Sequence, residues 1–269
     1  MLILKREDNC EEVPVKWSKF PGGETHVSLG TIFPGYNGQF LIEMKFQSND
    51  DLINLALLVD ALRRKYIRPV IRLVSMYFPY ARQDRVCNKG ESHSLAVIAN
   101  FINSLDFESV TILDPHSDVA PALINRVLVT SPAEIVVEKI LYKYKDYEIV
   151  CPDGGALKRT RAVAKVMGKR VIRADKLRDL QTGAISGVQL IDKDFAGKNV
   201  LVVDDICDGG GTFIPLGEEL RKVTDKEVAL YVTHGIFSKG LNVLLSIYDV
   251  IYVANNLSGI THEKLKVVL

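Results

Sequence analysis

An α/β fold in two successive halves is predicted by three observations. Short runs that are apolar on nearly every residue, such as Val200-Leu201-Val202-Val203, alternate with longer stretches whose apolar residues recur at helical spacing. Several of the runs stop at acidic or glycine-containing turns, the pattern of parallel strands covered on both faces. Midway, Ser131-Pro132-Ala133-Glu134 reads as the start of a new unit, with a serine cap, proline at the first helical position and glutamate three residues after the cap.

In the first half, 1–130, strands are predicted at 39–46, 70–77 and 109–114. Between them, Asp50 to Lys65 places Leu52, Leu55, Ala56, Val59 and Leu62 on one helical face, and Ser92 to Ser104 does so with Leu95, Ile98, Ala99 and Ile102. The second half, 131–269, opens with a helix reaching about Lys145, followed by strands at 148–151, 170–174, 199–205, 228–233 and 250–254. Helices are expected from Ala156 to Met167, stopped by Gly168, and from Thr212 to Lys222. The polar stretch Lys176 to Gly187, with two glycines, reads as a mobile loop. A weak duplication of one α/β unit is compatible with this order.

Lys plus Arg (34) and Asp plus Glu (33) leave a net charge of +1, which argues against nucleic-acid or anionic-membrane partners and makes any phosphate binding local. Cys10, Cys87, Cys151 and Cys207 are too scattered for a zinc cage or a disulfide framework. The opening residues and the interrupted apolar segment Ile53 to Leu62 suggest neither a signal peptide nor a membrane span, so a soluble, cytoplasmic protein is expected.

The most informative stretch is the run ending in Asp204-Asp205, followed by Asp208-Gly209-Gly210-Gly211-Thr212 and a helix. Backbone N–H groups of such a turn and of a helix start surround a phosphate, Thr212 adds a hydroxyl, and a carboxylate pair holds vicinal sugar hydroxyls or a metal. No Gly-Lys-Ser/Thr follows, so it is not a Walker loop. Arg82 and Arg85, in Phe78-Pro-Tyr80-Ala-Arg82-Gln83-Asp84-Arg85, offer forked donors for a triphosphate and planes for a purine. His116 follows an apolar strand, where ligands bind in parallel sheets. Lys176 and Arg178, two apart, can converge on one phosphate if their segment is extended.

The glycine-rich segment resembles the phosphoribosyl-diphosphate loop of type I phosphoribosyltransferases, and the ordered motifs around it resemble the ribose-phosphate pyrophosphokinases. These are Lys19-Phe20-Pro-Gly-Gly-Glu24, Phe78 to Arg85, Asp114-Pro-His116, Pro152-Asp153-Gly-Gly155, Asp175-Lys176-Leu-Arg178 and Thr233-His234-Gly235. The resemblance covers about Lys19 to Ser238. It implies two tandem phosphoribosyltransferase-like domains, an ATP site in 1–130 and a sugar-phosphate site in 131–269. The implied reaction moves the β,γ-diphosphate of ATP to the C1 hydroxyl of a ribose 5-phosphate-type acceptor and releases AMP, with Mg²⁺ on the nucleotide.

By the same resemblance Phe20, Glu24, Arg82, Gln83, Asp84 and Arg85 bind ATP, and His116 and Asp153 hold the metal. Lys176, Arg178 and His116 are catalytic, Asp204 and Asp205 take the ribose diol, and Asp208 to Thr212 take the 5-phosphate. It also implies a homo-oligomer, dimer or hexamer, with Phe20 and Glu24 reaching a neighbour's site.

Three departures bear on substrates. Gly22 stands where the family has Asp or Asn, removing a base-reading side chain, and the Pro152 to Gly155 turn is one residue short. Gly209-Gly210-Gly211 replaces a Thr, a small residue and Gly, baring the phosphate pocket. A larger acceptor, ADP-ribose, therefore stands beside ribose 5-phosphate. The chain before Lys19 leaves little room for the family's first strand, turn and helix, which would alter oligomer contacts and the allosteric phosphate site. The competing readings are a phosphoribosyltransferase and a non-catalytic regulatory subunit. Arg82 to Arg85 with Lys176 and Arg178 weigh against the first, and the intact set His116, Asp153, Lys176 and Arg178 against the second.

Overall fold

A computed structural model of the chain describes residues 1–30, 38–141, 146–178 and 185–269. It divides into two units, Met1–Thr130 and Ser131–Leu269.

In the first unit β1 (Leu2–Arg6) precedes a hairpin of β2 (Val15–Lys19) and β3 (Thr25–Leu29), and then β4 (Gln39–Met44) and α1 (Asp50–Lys65). The chain continues through β5 (Val70–Ser75), α2 (Ser94–Ser104), β6 (Ser109–Leu113), α3 (Val119–Leu123) and β7 (Val127–Thr130). The sheet runs β1-β4-β5-β6-β7, parallel except for β1, which pairs antiparallel with β4. Strand pleating puts alternate residues inside: Phe40, Ile42 and Met44 of β4 and Ile71 and Leu73 of β5 are buried. Against them α1 packs Leu55, Leu58, Val59 and Leu62, and α2 packs Leu95, Ala99 and Ile102. The expectation of little room before Lys19 for a first strand is corrected: β1 completes the sheet edge, with Leu4 buried in the core and Leu2 packed against it.

In the second unit the Ser131 hydroxyl accepts from Ala133 N–H and caps α4 (Pro132–Ile135). The predicted long helix is present through Leu141, α4 continuing as a π-helical stretch over Val136–Leu141; the rest, to Lys145, lies outside the described residues. Then come β8 (Tyr147–Cys151), α5 (Leu157–Val166), β9 (Val171–Arg178), β10 (Ile185–Leu190) and β11 (Asn199–Cys207). They are followed by α6 (Phe213–Arg221), β12 (Val228–Gly235), α7 (Asn242–Ile247), β13 (Val250–Asn256) and β14 (Leu265–Val267).

This sheet runs β10-β9-β8-β11-β12-β13-β14, parallel except for β10. β8 and β12 are buried at every residue, since α5 lies against one face and α6 and α7 against the other. α5 ends at Gly168, whose φ of +60° lets Lys169 N–H reach the Ala164 carbonyl at 2.9 Å.

The loop expected from Lys176 to Gly187 is corrected at both ends. β9 runs through Lys176 to Arg178 and pairs with β10, Lys176 opposite Val188, with a register shift between Ile185 and Gly187. The middle of that segment lies outside the described residues. Thr233-His234-Gly235, read as a turn, is the buried end of β12. At the opposite, amino ends of β8, β9 and β11, Lys198 pairs with Asp146 at 2.9 Å and Glu148 at 3.5 Å, Lys169 pairs with Asp146, and Arg170 pairs with Asp192 at 2.6 Å. No helix among the described residues is long and apolar enough to cross a membrane.

Candidate active site

Apart from Phe20 and Glu24, each unit carries its candidate residues at the carboxyl ends of its parallel strands, where loops leave the sheet.

In the first unit, Phe78 and Ala81 are buried plugs after β5. Between them Tyr80 takes φ +60°, a left-handed turn that aims the following Arg82 and Gln83 outward. The Gln83 carbonyl accepts from Leu95 N–H at 3.3 Å and Gln83 N–H donates to the Tyr80 carbonyl at 2.9 Å, so the start of α2 holds the turn. A cavity of about 700 Å³ opens beside it, lined among others by Phe46, Asn49, Tyr77, Tyr80, Arg82 and Gln83. The Phe46 and Tyr80 rings lie 6.4 Å apart, and the Tyr80 hydroxyl donates to Asn49 Oδ1 at 2.7 Å. Arg82 and Gln83, predicted from sequence, are thus joined by Phe46, Asn49 and Tyr80, which sequence reading missed; the weak signal was their position just after an apolar strand.

Asp84 faces inward instead. Burial works to raise its carboxyl, yet the Ser117 hydroxyl, the Arg85 guanidinium 3.2 Å away and the charge of His116 hold it below the usual carboxylate range. Asp84 therefore ties the Arg82–Arg85 turn to the Asp114–Ser117 turn, with His116 exposed on it and Arg85 extended into solvent. Phe20 and Glu24 sit at the tip of the β2–β3 hairpin, where Phe20 N–H donates to the Glu24 carbonyl at 2.9 Å and the Phe20 ring is 59% exposed. The Glu24 carboxylate lies over Gly22: an added Cβ there would stand 2.6 Å from Glu24 Oε2, so the space opened by glycine is filled by a carboxylate.

In the second unit, Asp153 follows β8 and its Oδ1 accepts from Gly155 N–H at 2.9 Å and Ala156 N–H at 3.2 Å, fixing the turn into α5. One turn into that helix stands Arg159, whose Nη1 reaches Asp204 Oδ1 and Asp205 Oδ1, each at 3.0 Å. All three side chains are nearly buried, at 10%, 12% and 6% exposure. Burial pushes the Asp204 carboxyl well up, with Asp205 beside it adding to the rise and Arg159 opposing it. Arg159 was missed from sequence, which showed only that it falls within the helix expected from Ala156 to Met167.

After Cys207 the 208–212 loop turns on Gly210, φ +80°, whose carbonyl accepts from Phe213 and Ile214 N–H at 3.0 and 2.9 Å to start α6. Thr212 precedes α6 without capping it. An added Cβ at Gly210 would meet Ile214 Cδ1 at 3.0 Å, so this glycine is required by backbone and packing together, whereas one at Gly211 or Gly154 would meet nothing within 4 Å. Asp208 accepts from the Ser238 hydroxyl at 2.5 Å. Lys176 and Arg178 lie on β9 toward its carboxyl end; their side chains are outside the described set.

Known proteins answer to this arrangement in the same order. A model of the N-terminal domain of ribose phosphate pyrophosphokinase matches residues 4–105, and one of the phosphoribosyl transferase domain matches 126–256. The chain is 34% identical over 236 residues to the ribose-phosphate pyrophosphokinase of Thermococcus kodakarensis, spanning 87% of this chain and 82% of that one. It is 32% identical over 227 residues to that of Rhizobium meliloti, spanning 82% and 72%. The structure of phosphoribosylpyrophosphate synthetase from Mycobacterium smegmatis superposes with a TM-score of 0.79 at 23% identity, over 95% of this chain and 85% of that one, and shows the shared fold. With both domain matches in sequence and identity above 30% across most of both chains, this protein belongs to the ribose-phosphate pyrophosphokinase family of enzymes.

Proposed function

We propose that the chain transfers the β,γ-diphosphate of ATP to the C1 hydroxyl of a ribose 5-phosphate-type acceptor, releasing AMP. The observation that carries the acceptor half is the sequence of groups at the end of β11: two buried carboxylates, then a glycine turn that leads into the start of α6. Asp204 and Asp205 accept from the 2- and 3-hydroxyls of the ribose, and the 208–212 backbone with Thr212 surrounds the 5-phosphate.

For the nucleotide half, the aromatic walls Phe46 and Tyr80 with Arg82 and Gln83 suit a purine and its phosphates. Glu24 over Gly22 supplies the hydrogen-bond acceptor that the missing Asp or Asn side chain would have given. Asp84 acts on this site as the brace of its turn, and Arg85 meets phosphate from solvent.

The C1 hydroxyl oxygen attacks the β-phosphorus and gives up its proton to solvent, the bond from that phosphorus to the α,β-bridging oxygen breaks, and AMP departs with the bridging oxygen. Lys176 and Arg178 stabilise the charge that spreads over the transferred group, and His116 is the catalytic candidate of the first unit. Magnesium on a nucleotide takes most of its ligands from phosphate and water, so one or two side chains suffice. The exposed His116 and the Asp153 turn fit that demand, and no group of three or more His, Cys, Asp or Glu among the described residues forms a cage. When bound, the ion would neutralise phosphate charge, and His116 and Asp153 are each a candidate ligand for it.

A second acceptor is favoured by one observation: the open space at Gly154 and Gly211 admits a 5-phosphate bearing a further substituent, as in ADP-ribose. The protein acts as a homo-oligomer in this reading, with the exposed Phe20 and Glu24 of the hairpin completing a neighbour's nucleotide site. The test is AMP release from Mg-ATP with ribose 5-phosphate and ADP-ribose offered in parallel and products identified by mass. Turnover with either establishes the transfer and names the acceptor; silence with both refutes it.

A further inference from the structure

Outside the motifs discussed so far, the turn after β12 carries a cation laid against the phosphate loop. An added Cβ at Gly209 would stand 3.3 Å from both Cδ and Cε of Lys239 and 3.5 Å from its Cγ, so the lysine stem lies along the face that glycine leaves bare. The stem is brought there by a turn the fold holds firmly. Ile236 and Phe237 N–H both donate to the Cys207 carbonyl, at 2.9 and 3.1 Å, and Gly240 N–H closes the turn on the Phe237 carbonyl at 2.8 Å. Phe237 itself is buried, and Ser238 binds Asp208 at 2.5 Å. Lys239 has no carboxylate partner among the described residues.

We propose that Lys239 is a binding ligand for the acceptor, holding the phosphoryl group on its 5-oxygen from the outer side of the 208–212 loop. This deepens, and rests on, the reading of that loop as the 5-phosphate cradle. The charge arithmetic favours it. The loop contains Asp208, which repels a phosphate; Ser238 draws that carboxylate aside, and the neighbouring Lys239 supplies the missing positive charge one bond beyond Cε. The threonine that the family places at position 209 would occupy the path of the lysine stem. Gly209 and Lys239 are thus one device: the glycine gives up a side-chain hydroxyl and makes room for a mobile ammonium. The ammonium can follow either a terminal phosphate or the first phosphate of a diphosphate.

The test is steady-state kinetics of Lys239→Ala and Lys239→Arg with ribose 5-phosphate and with ADP-ribose, together with calorimetric binding of each acceptor without ATP. Replacing the lysine by alanine is expected to raise the KM of an acceptor that is used by about tenfold. The kcat and the KM for ATP should stay within about twofold of wild type, and arginine should restore most of the loss. Gly209→Thr, at a position with no positive φ, is expected to reproduce the loss and to add little when combined with Lys239→Ala.

Unchanged acceptor KM and binding in Lys239→Ala overturn the proposal while leaving the cradle in place. So does a loss spread equally over kcat and both KM values, which marks a structural role. Wild-type protein that binds neither acceptor refutes the cradle itself, and the proposal with it. Where wild type binds without turnover, the calorimetric comparison decides.

Discussion

Replacing Arg159 by methionine keeps much of the stem's bulk and removes the charge that stands 3.0 Å from both Asp204 and Asp205. With all three side chains at 12% exposure or less, solvent screens little of the interaction. Removing one member of such a buried cluster costs about 3–5 kcal/mol when the remaining charges stay ionised. Here one carboxyl escapes by taking a proton, so the loss near neutral pH is expected at the lower end, about 3 kcal/mol.

The sign of the pH dependence follows from Asp204, whose folded carboxyl already sits above its ordinary value of 3.8. A group raised in the folded state favours folding below its unfolded value and loses that advantage as pH climbs through the folded one. Without Arg159 the folded value climbs further, so the variant's deficit is small in acid, where Asp204 is protonated in both proteins, and widens upward from the ordinary carboxylate range. Thermal unfolding at about pH 5 and about pH 8 reads this: a Tm deficit of about 3 °C at the lower pH growing to about 10 °C at the higher. A deficit that does not change with pH, or none at either, would show that the cluster is not electrostatically coupled as described.

Other perturbations separate the parts. Lys176→Ala should lower AMP release about a thousandfold with little change in Tm, measured by single-turnover assay of labelled ATP. Removing the hydroxyl in Tyr80→Phe frees Asn49 from its 2.7 Å bond and should raise the KM for ATP about threefold to tenfold, with the acceptor KM unmoved. Gly217→Ala puts a methyl group into Ile247, and within 3.0 Å of the Tyr248 ring, where α6 meets α7; a loss of about 1–3 kcal/mol in chemical denaturation is expected, without a change in either KM at low temperature.

The strands legible in the sequence are those buried on both sides. β8, β11 and β12 read as unbroken apolar runs because α5 covers one face and α6 with α7 the other. The β2–β3 hairpin escaped notice because Val-Lys-Trp-Ser-Lys and Thr-His-Val-Ser-Leu face mostly outward and carry no such signal. β10 was read as loop because its Gly187 and neighbouring polar residues hide the alternation of Val188 and Leu190, both buried.

At the site, Asp204 to Thr212 could be read directly, since a glycine turn between strand and helix has few other uses. Arg159 could not: its partner is 45 residues away, and only the fold shows that this face of α5 looks inward. Lys239 was silent for the same reason, its meaning residing in a glycine thirty positions earlier.

One lattice of ion pairs in the second unit, Asp146, Glu148, Lys169, Arg170, Asp192 and Lys198, sits at the amino edge of its sheet, a full strand length from the groups at the other edge. That separation makes the fold evolvable. Libraries randomised at 154, 209, 211 and 239 can explore new acceptors with the amino-edge lattice intact, so most members should still express and fold. An equal number of changes at the amino edge would deplete the library before any selection for activity began.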